Sequence, residues 1–375
     1  MDAIQLGNQT LSTSDSLALF LTKISPAGNI LWAKKIISRY STAYETLLKI
    51  NAAGELVLAG TCDNILSDFD TLLHPFANGD LYLSKFNRAD GSLISFLSTG
   101  NHGFSWINDL ETDAENNILI TGGFVGHLAF GAFSMQCTGT TNTFIAKFNS
   151  QDQAMWARRV TNSLSSGNAG MHIGYDGAGH IYVSGFYGIS CDFGSGFVLS
   201  STKYSNGYLA KFDTSGSIAW AKTSDPGKTY FHQAILDTSS ILVVSESPCT
   251  FVNYNQSGDT VWTRTISNNS YNLFRQLIRY HDNMFAIGSF YNSILLDDSN
   301  LTSTGQNLFI ARFGFQGALD WMRPVHTVYF GSPSAFAIDT SRNIHITGIY
   351  QGPDTLDYFH PMPVFGGSEI GRAHV

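Results

Sequence analysis

Asp176-Gly177-Ala178-Gly179-His180-Ile181-Tyr182-Val183-Ser184-Gly185, continued by Tyr208-Leu209-Ala210-Lys211-Phe212-Asp213 and then by Trp220-Ala221-Lys222, decides the fold because the chain repeats it. The second half of the phrase returns as Phe144-Ile145-Ala146-Lys147-Phe148 leading to Trp156, and as Phe309-Ile310-Ala311-Arg312-Phe313 leading to Trp321. The basic residue precedes Trp by the same interval each time. The Trp position falls at Trp32, at a degenerate site near Ser95, and at Trp156, Trp220, Trp262 and Trp321, so successive spacings are 63, 61, 64, 42 and 59. The first half runs Asp113 to Gly122, Asp176 to Gly185 and Asp339 to Gly348, with worn copies at Asn51 to Gly60 and Asp237 to Ser245. A fixed period of this length marks a repeat architecture whose units bury their apolar faces against their neighbours.

Inside each phrase the periodicity is that of strands. Asn117-Ile118-Leu119-Ile120-Thr121-Gly122 and His180-Ile181-Tyr182-Val183-Ser184-Gly185 are short, rich in β-branched and aromatic residues, and bounded by turn formers. No window keeps a helical period over three turns. Each unit is therefore expected to hold four antiparallel strands: one entering the Asp turn, one leaving it, one carrying the Lys and one carrying the Trp. Four-stranded sheets repeated around a ring make a β-propeller, which limits exposed strand edges. The β-helix is the main rival, but its coils are commonly shorter and lack paired tight turns. The expected fold is all-β, with five complete blades from about 43 to 323. Half-blades flank them at 19–36 and 335–349, and the two could close as a sixth.

Residues 176–222 are similar to the bacterial seven-bladed β-propeller repeat, abbreviated SBBP. The similarity is carried by Asp176, Gly179, Tyr182, Gly185, Asp192-Phe193-Gly194, Lys211, Asp213, Gly216, Trp220, Ala221 and Lys222. It extends through the other copies over nearly the whole chain, and its specificity lies in the repetition. The copy at 237–262 departs from it, because the long stretch between second and third strands is missing. The resemblance implies a secreted or cell-surface bacterial propeller, often one module of a larger protein, with seven or more blades in the parent.

Composition is consistent with an extracellular β protein. Only 13% of the 375 residues are charged, 43% are hydrophobic, and there are 36 glycines. A net charge of −8 argues against a nucleic-acid surface. No apolar stretch is long enough to span a membrane. The four cysteines, Cys62, Cys137, Cys191 and Cys249, fall in four different units and are expected to be free thiols.

The ends read differently from the middle. Residues 1–18 lack the pattern of a signal peptide, and the chain is expected to enter in mid-blade. Residues 1–369 are expected to form one propeller domain, a monomeric module cut from a longer chain. The last six residues, Ile370 to Val375, can be encoded by the opening of a common sequencing adapter and are expected to be a non-native tail.

Motifs for chemistry are mostly absent. There is no His-Glu-x-x-His, Gly-x-Ser-x-Gly or Cys-x-x-Cys, so no catalytic residue, cofactor or metal is assigned. Asp113, Asp176, Asp237 and Asp339 stand where a carboxylate accepts backbone N–H bonds in a tight turn, and the repeated Trp residues are expected to pack between outer strands. Asp213-x-x-Gly216-x-x-x-Trp220 is similar in spirit to the quinoprotein repeat, but no vicinal Cys pair or calcium site accompanies it. A quinoprotein-like or glycan-processing enzyme is therefore the alternative to a binding or scaffold module for a glycan, protein or peptide. Four to six positions before each turn lie Glu45, Asn108 with Asp109, His172, and His232 with Gln233, to which the worn fifth copy adds Arg275. Trp106 lies alongside. If first strands line the axis, these residues ring one mouth of a central channel, on the face where the variable connections also lie.

Overall fold

The computed structural model describes all residues except 1, 7–8, 14–17, 26, 28, 39–45, 63–79, 100–102, 163–166, 225–229, 238–239, 247–248, 269–271, 326–329, 339–343, 352–368 and 375. The chain forms two compact units. One comprises Met1–Tyr204 with Ala210–Ala221, the other Ser205–Leu209 with Lys222–Val375.

Both units are built from antiparallel blades, and the protein is a β-propeller. Strands Leu47–Ile50, Leu56–Cys62, Asp80–Phe86 and Leu93–Ser98 form blade 1 in sequence order. Phe104–Thr112, Ile118–Phe130, Phe133–Phe148 and Ala154–Asn162 form blade 2. Asn168–Tyr175, His180–Tyr187, Asn206–Asp213 and Ile218–Thr223 form blade 3. In the second unit Tyr230–Leu236, Ser240–Glu246, Thr250–Asn255 and Thr260–Thr265 form blade 4. Blade 5 follows with Asn272–Tyr280, Asn283–Leu296, Ser299–Gly314 and Leu319–Val325. The N-terminal half-blade is the pair Ala18–Ile24 and Ile30–Ser38. The C-terminal one pairs Phe330–Ile338 with Ile344–Gln351, and the backbone of Glu369–His374 pairs with the latter.

The second and third strands are buried on both faces: Ile118, Leu119 and Ile120 are buried in succession, as are Tyr208, Leu209 and Ala210. This is why these strands are continuous apolar runs, whereas the fourth strands of blades 1, 3 and 4 hold only half-buried and exposed residues. Cys137, Cys191 and Cys249 are buried, and burial pushes the Cys191 thiol well up from its ordinary pKa.

In blades 2, 3 and 5 the second-to-third connections are not loose loops. In blade 2 they extend into a hairpin whose Leu128, Phe130, Met135 and Cys137 pack with Val57, Ala59, Leu81 and Leu83 of blade 1. In blade 5, Phe290, Ile294 and Leu296 likewise join Leu242, Val244 and Phe251 of blade 4. The blade 3 hairpin adds itself to the outer strand of blade 2, Asp192 opposite Thr161 and Cys191 opposite Asn162. Each hairpin leans on the preceding blade and turns a variable connection into a strap. Blade 4 has no such hairpin; its second strand ends at Glu246 and its third begins at Thr250.

Candidate functional site

The Asp turns are structural. Asp113 Oδ1 accepts the backbone N–H groups of Glu115 at 3.1 Å and Asn117 at 2.8 Å, while Oδ2 meets Asn117 Nδ2 at 2.8 Å and Lys147 Nζ at 2.9 Å. Burial pushes the Asp113 carboxyl up, and the bonds with Lys147 and Asn117 outweigh it, leaving its pKa below the ordinary value. Asp176 Oδ1 accepts from Ala178 and His180 N–H, and its Oδ2 lies 2.7 Å from His180 Nδ1. Burial pushes this carboxyl up as well, and hydrogen bonds with His180 bring it below its ordinary pKa. Asp237 accepts from Ser240 N–H at 2.6 Å. Asp339 lies outside the described residues.

Three of the repeated Trp side chains, Trp32, Trp156 and Trp262, lock one blade to the next. Trp156 is buried, its Nε1 donates to Thr214 O at 2.9 Å, and a Cβ placed on Gly216 would sit 2.7 Å from its ring. Arg158 Nε then donates to Gly216 O at 2.9 Å. In the second unit Trp262 Nε1 donates to Phe315 O at 3.1 Å over Gly317, and Arg264 Nε to Gly317 O at 3.1 Å. Trp32 does the same with Arg88 O over Gly91. Gly216 and Gly317 have φ of 76° and 77°, so glycine there serves both the turn and the close approach of the indole. Trp220 and Trp321 are half-buried and face Tyr182 and Phe285, ring centroids 6.1 and 6.2 Å apart.

Where Trp is missing, the lock changes its parts together. Ser95 replaces the indole, and the next blade's turn carries Asp152, at φ 62°, in the glycine position. The gap is bridged by Lys85, whose buried Nζ donates to Ser150 O and lies 3.0 Å from Asp152 Oδ1.

At the other end of blades 2 to 5 and of the C-terminal half-blade, the first strand carries a β-bulge beside the residue that ends the repeated second-strand motif. The register skips Asn108 before Gly122, Met171 before Gly185, His232 before Ser245, Arg275 before Gly288 and Ser334 before Gly348. Bulges re-aim side chains and are common beside functional sites. Three of the residues singled out in the sequence, Asn108, His232 and Arg275, are therefore bulge residues. Asp109 and Gln233 directly follow them, and His172 follows the bulged Met171.

In the first unit these side chains tie first strands of neighbouring blades together. Asn108 Nδ2 donates to Gly170 O at 2.7 Å. Asp109 Oδ1 accepts Leu110 N–H at 2.8 Å and its Oδ2 accepts Ile173 N–H at 2.9 Å, with His172 Nδ1 3.6 Å away. Gly170 leaves room for the Thr121 side chain of blade 2, since a Cβ there would overlap its hydroxyl. The Trp106 ring packs against Gly123, where a Cβ would overlap it, and beside Phe104, ring centroids 5.6 Å apart. In the second unit Arg275 is exposed, and the backbone of His232 and Gln233 lies in the first strand of blade 4. Glu45 lies outside the described residues. Among the described residues no group of three or more His, Cys, Asp or Glu is placed to hold a metal, and no helix is long and apolar enough to cross a membrane.

No known family's profile matches the chain. It is similar to the uncharacterized WD repeat-containing protein L264 of Acanthamoeba polyphaga mimivirus, with 22% identity over 95% of this chain and 28% of that protein's length. The chain thus spans under a third of that relative, which is viral. Among solved structures it is similar to Kuenenia stuttgartiensis hydrazine synthase, with a TM-score of 0.48 and 8% identity over 81% of this chain and 75% of that one. A protein of unknown function from Bacteroides caccae gives a TM-score of 0.42 and 12% identity over 82% and 94% of the two chains.

Proposed function

We propose that this chain is a non-catalytic binding or scaffold module that engages a glycan or a peptide at the bulged, Gly-terminated end of its blades. The observation that carries this reading is the contrast between the two ends. At the Asp-turn end, the carboxylates of Asp113 and Asp176 are consumed by backbone N–H groups and by Lys147 or His180. At the bulged end, aromatic and polar side chains of non-repeating identity are held in place by a rigid strand, as binding sites on repeat scaffolds require. The likeness to a WD repeat-containing protein supports a partner-binding role. The low charged fraction and the resemblance to the SBBP repeat support a bacterial, extracellular or cell-surface setting within a longer chain.

Glycan and peptide array screening tests the reading. Binding is expected to fall at least about tenfold on Trp106→Ala for a site in the first unit, or on Arg275→Ala for one in the second, the loss of a hot-spot contact of about 1.4 kcal/mol or more, and to survive Asp213→Ala in an outer turn. Binding that persists through both changes at the bulged end and disappears with Asp213→Ala would place the site on the opposite face.

A further inference from the structure

We infer that Trp106, seated on Gly123 and flanked by Phe104, is a stacking platform for a neutral sugar ring; this rests on the binding reading above. Of the six tryptophans, Trp106 alone stands off the repeat. The matching first-strand position, judged by register with the residue after the second-strand Gly or its replacement, holds Ala169, Tyr230, Leu273 and Ser332 in blades 3, 4 and 5 and the C-terminal half-blade. The residue it lies on is equally exceptional. Gly123 follows Gly122, where the other blades have Thr61, Phe186, Glu246, Ser289 and Ile349. A Cβ at 123 would overlap the indole, so Gly123 is a condition for the ring to lie where it does.

Two paired departures in one blade are not explained by blade construction, which the other copies achieve without them. Nor are they explained by core packing. Ser105 and Ile107 are the buried members of this stretch, while Trp106 is half-buried and Phe104 is 44% exposed. An aromatic pair left in contact with water on a rigid strand is a surface for stacking.

The neighbouring polar groups select the ligand. Asp109 lies three residues along the strand, about 10 Å. Its carboxylate is oriented by Leu110 and Ile173 N–H and retains acceptor capacity, with its side chain 24% exposed. His172 stands beside it. A pyranose offers the matching pair of surfaces, an apolar C–H face for the indole and hydroxyl donors for the carboxylate. Stacked nucleic-acid bases would bring phosphates toward Asp109 on a chain of net charge −8, and acidic sugars meet the same repulsion.

The test is calorimetric titration with hexaoses of glucose, xylose, mannose and N-acetylglucosamine at neutral pH. At least one is expected to bind, with affinity reduced at least tenfold in Trp106→Ala, partly kept in Trp106→Phe and weakened in Phe104→Ala. Near-UV circular dichroism checks that each variant is folded. No binding by any of the four, or binding indifferent to both aromatic changes, overturns the proposal. A peptide ligand lost on Trp106→Ala, without sugar binding, overturns the sugar assignment and keeps the bulged end as the binding face. A ligand that ignores Trp106 and Arg275 overturns both.

Discussion

Trp156→Ala is expected to lower the free energy of unfolding by about 3–5 kcal/mol, the range for removing a large buried aromatic side chain. The loss has three parts. The indole is buried, its N–H bond to Thr214 O is broken, and the glycine turn it covers is opened to solvent. Arg158, whose guanidinium carbon lies 5.7 Å from the indole centroid and which bonds Gly216 O, loses its platform as well. Gly216→Val should approach the same loss by a different route, because its Cβ would meet the indole at 2.7 Å and valine resists a φ of 76°. Urea unfolding of the two variants checks this, and a loss below about 1 kcal/mol in both would mean that the indole does not join the blades.

Lys147→Met is the second large effect. The Lys147 and Asp113 side chains are 5% and 1% exposed, so removing the ammonium leaves a buried carboxylate with only neutral donors. Breaking a buried pair from one side costs about 3–5 kcal/mol, and the double change with Asp113→Asn should recover part of it, because no charge is then stranded. The pH dependence follows from the same group. Asp113 and Asp176 have folded pKa values below their ordinary ones, so the unfolded chain binds their protons first as pH falls. Their contribution is present above about pH 4, the unfolded carboxyl value, and is lost as pH drops through the folded values. Thermal unfolding from pH 6 to pH 2.5 should show a steep acid loss in the parent and a shallower one in Asp113→Asn/Lys147→Met. An equal slope in both would remove Asp113 from the acid response.

The blades were legible in the sequence because their signals are local. An Asp that caps its own turn, an apolar run buried on both faces and a Trp nine residues beyond a Lys all lie within one unit. What Trp156 touches was not legible, because Thr214 and Gly216 belong to the following blade. A trace of it is visible in hindsight. Ser95 loses the Trp in the copy just before the one in which Asp152 loses the Gly, and the two losses share one seam. The candidate site was legible only as positions. Counting back from the turns reached the bulges at Asn108, His232 and Arg275, but no local rule announces an extra residue in a strand. In blade 3 the count therefore reached His172, one residue past the bulged Met171. Asn108 and Asp109 read as free ligand groups in the sequence and prove to be partly engaged with the next blade's backbone. The long second-to-third connections read as binding loops, yet in blades 2, 3 and 5 they fold back as hairpins on the preceding blade.

The central claim is that Trp32, Trp156 and Trp262 are joints between blades whereas Trp106 is a surface. Hydrogen exchange at the six indole N–H groups, followed by nitrogen-15 NMR, tests it most directly. Trp32, Trp156 and Trp262, which donate to Arg88, Thr214 and Phe315 carbonyls, are expected to exchange slowly, and the Trp106 indole is expected to exchange much faster than these three. Rapid exchange at Trp156 and Trp262 together with protection at Trp106 would contradict the account.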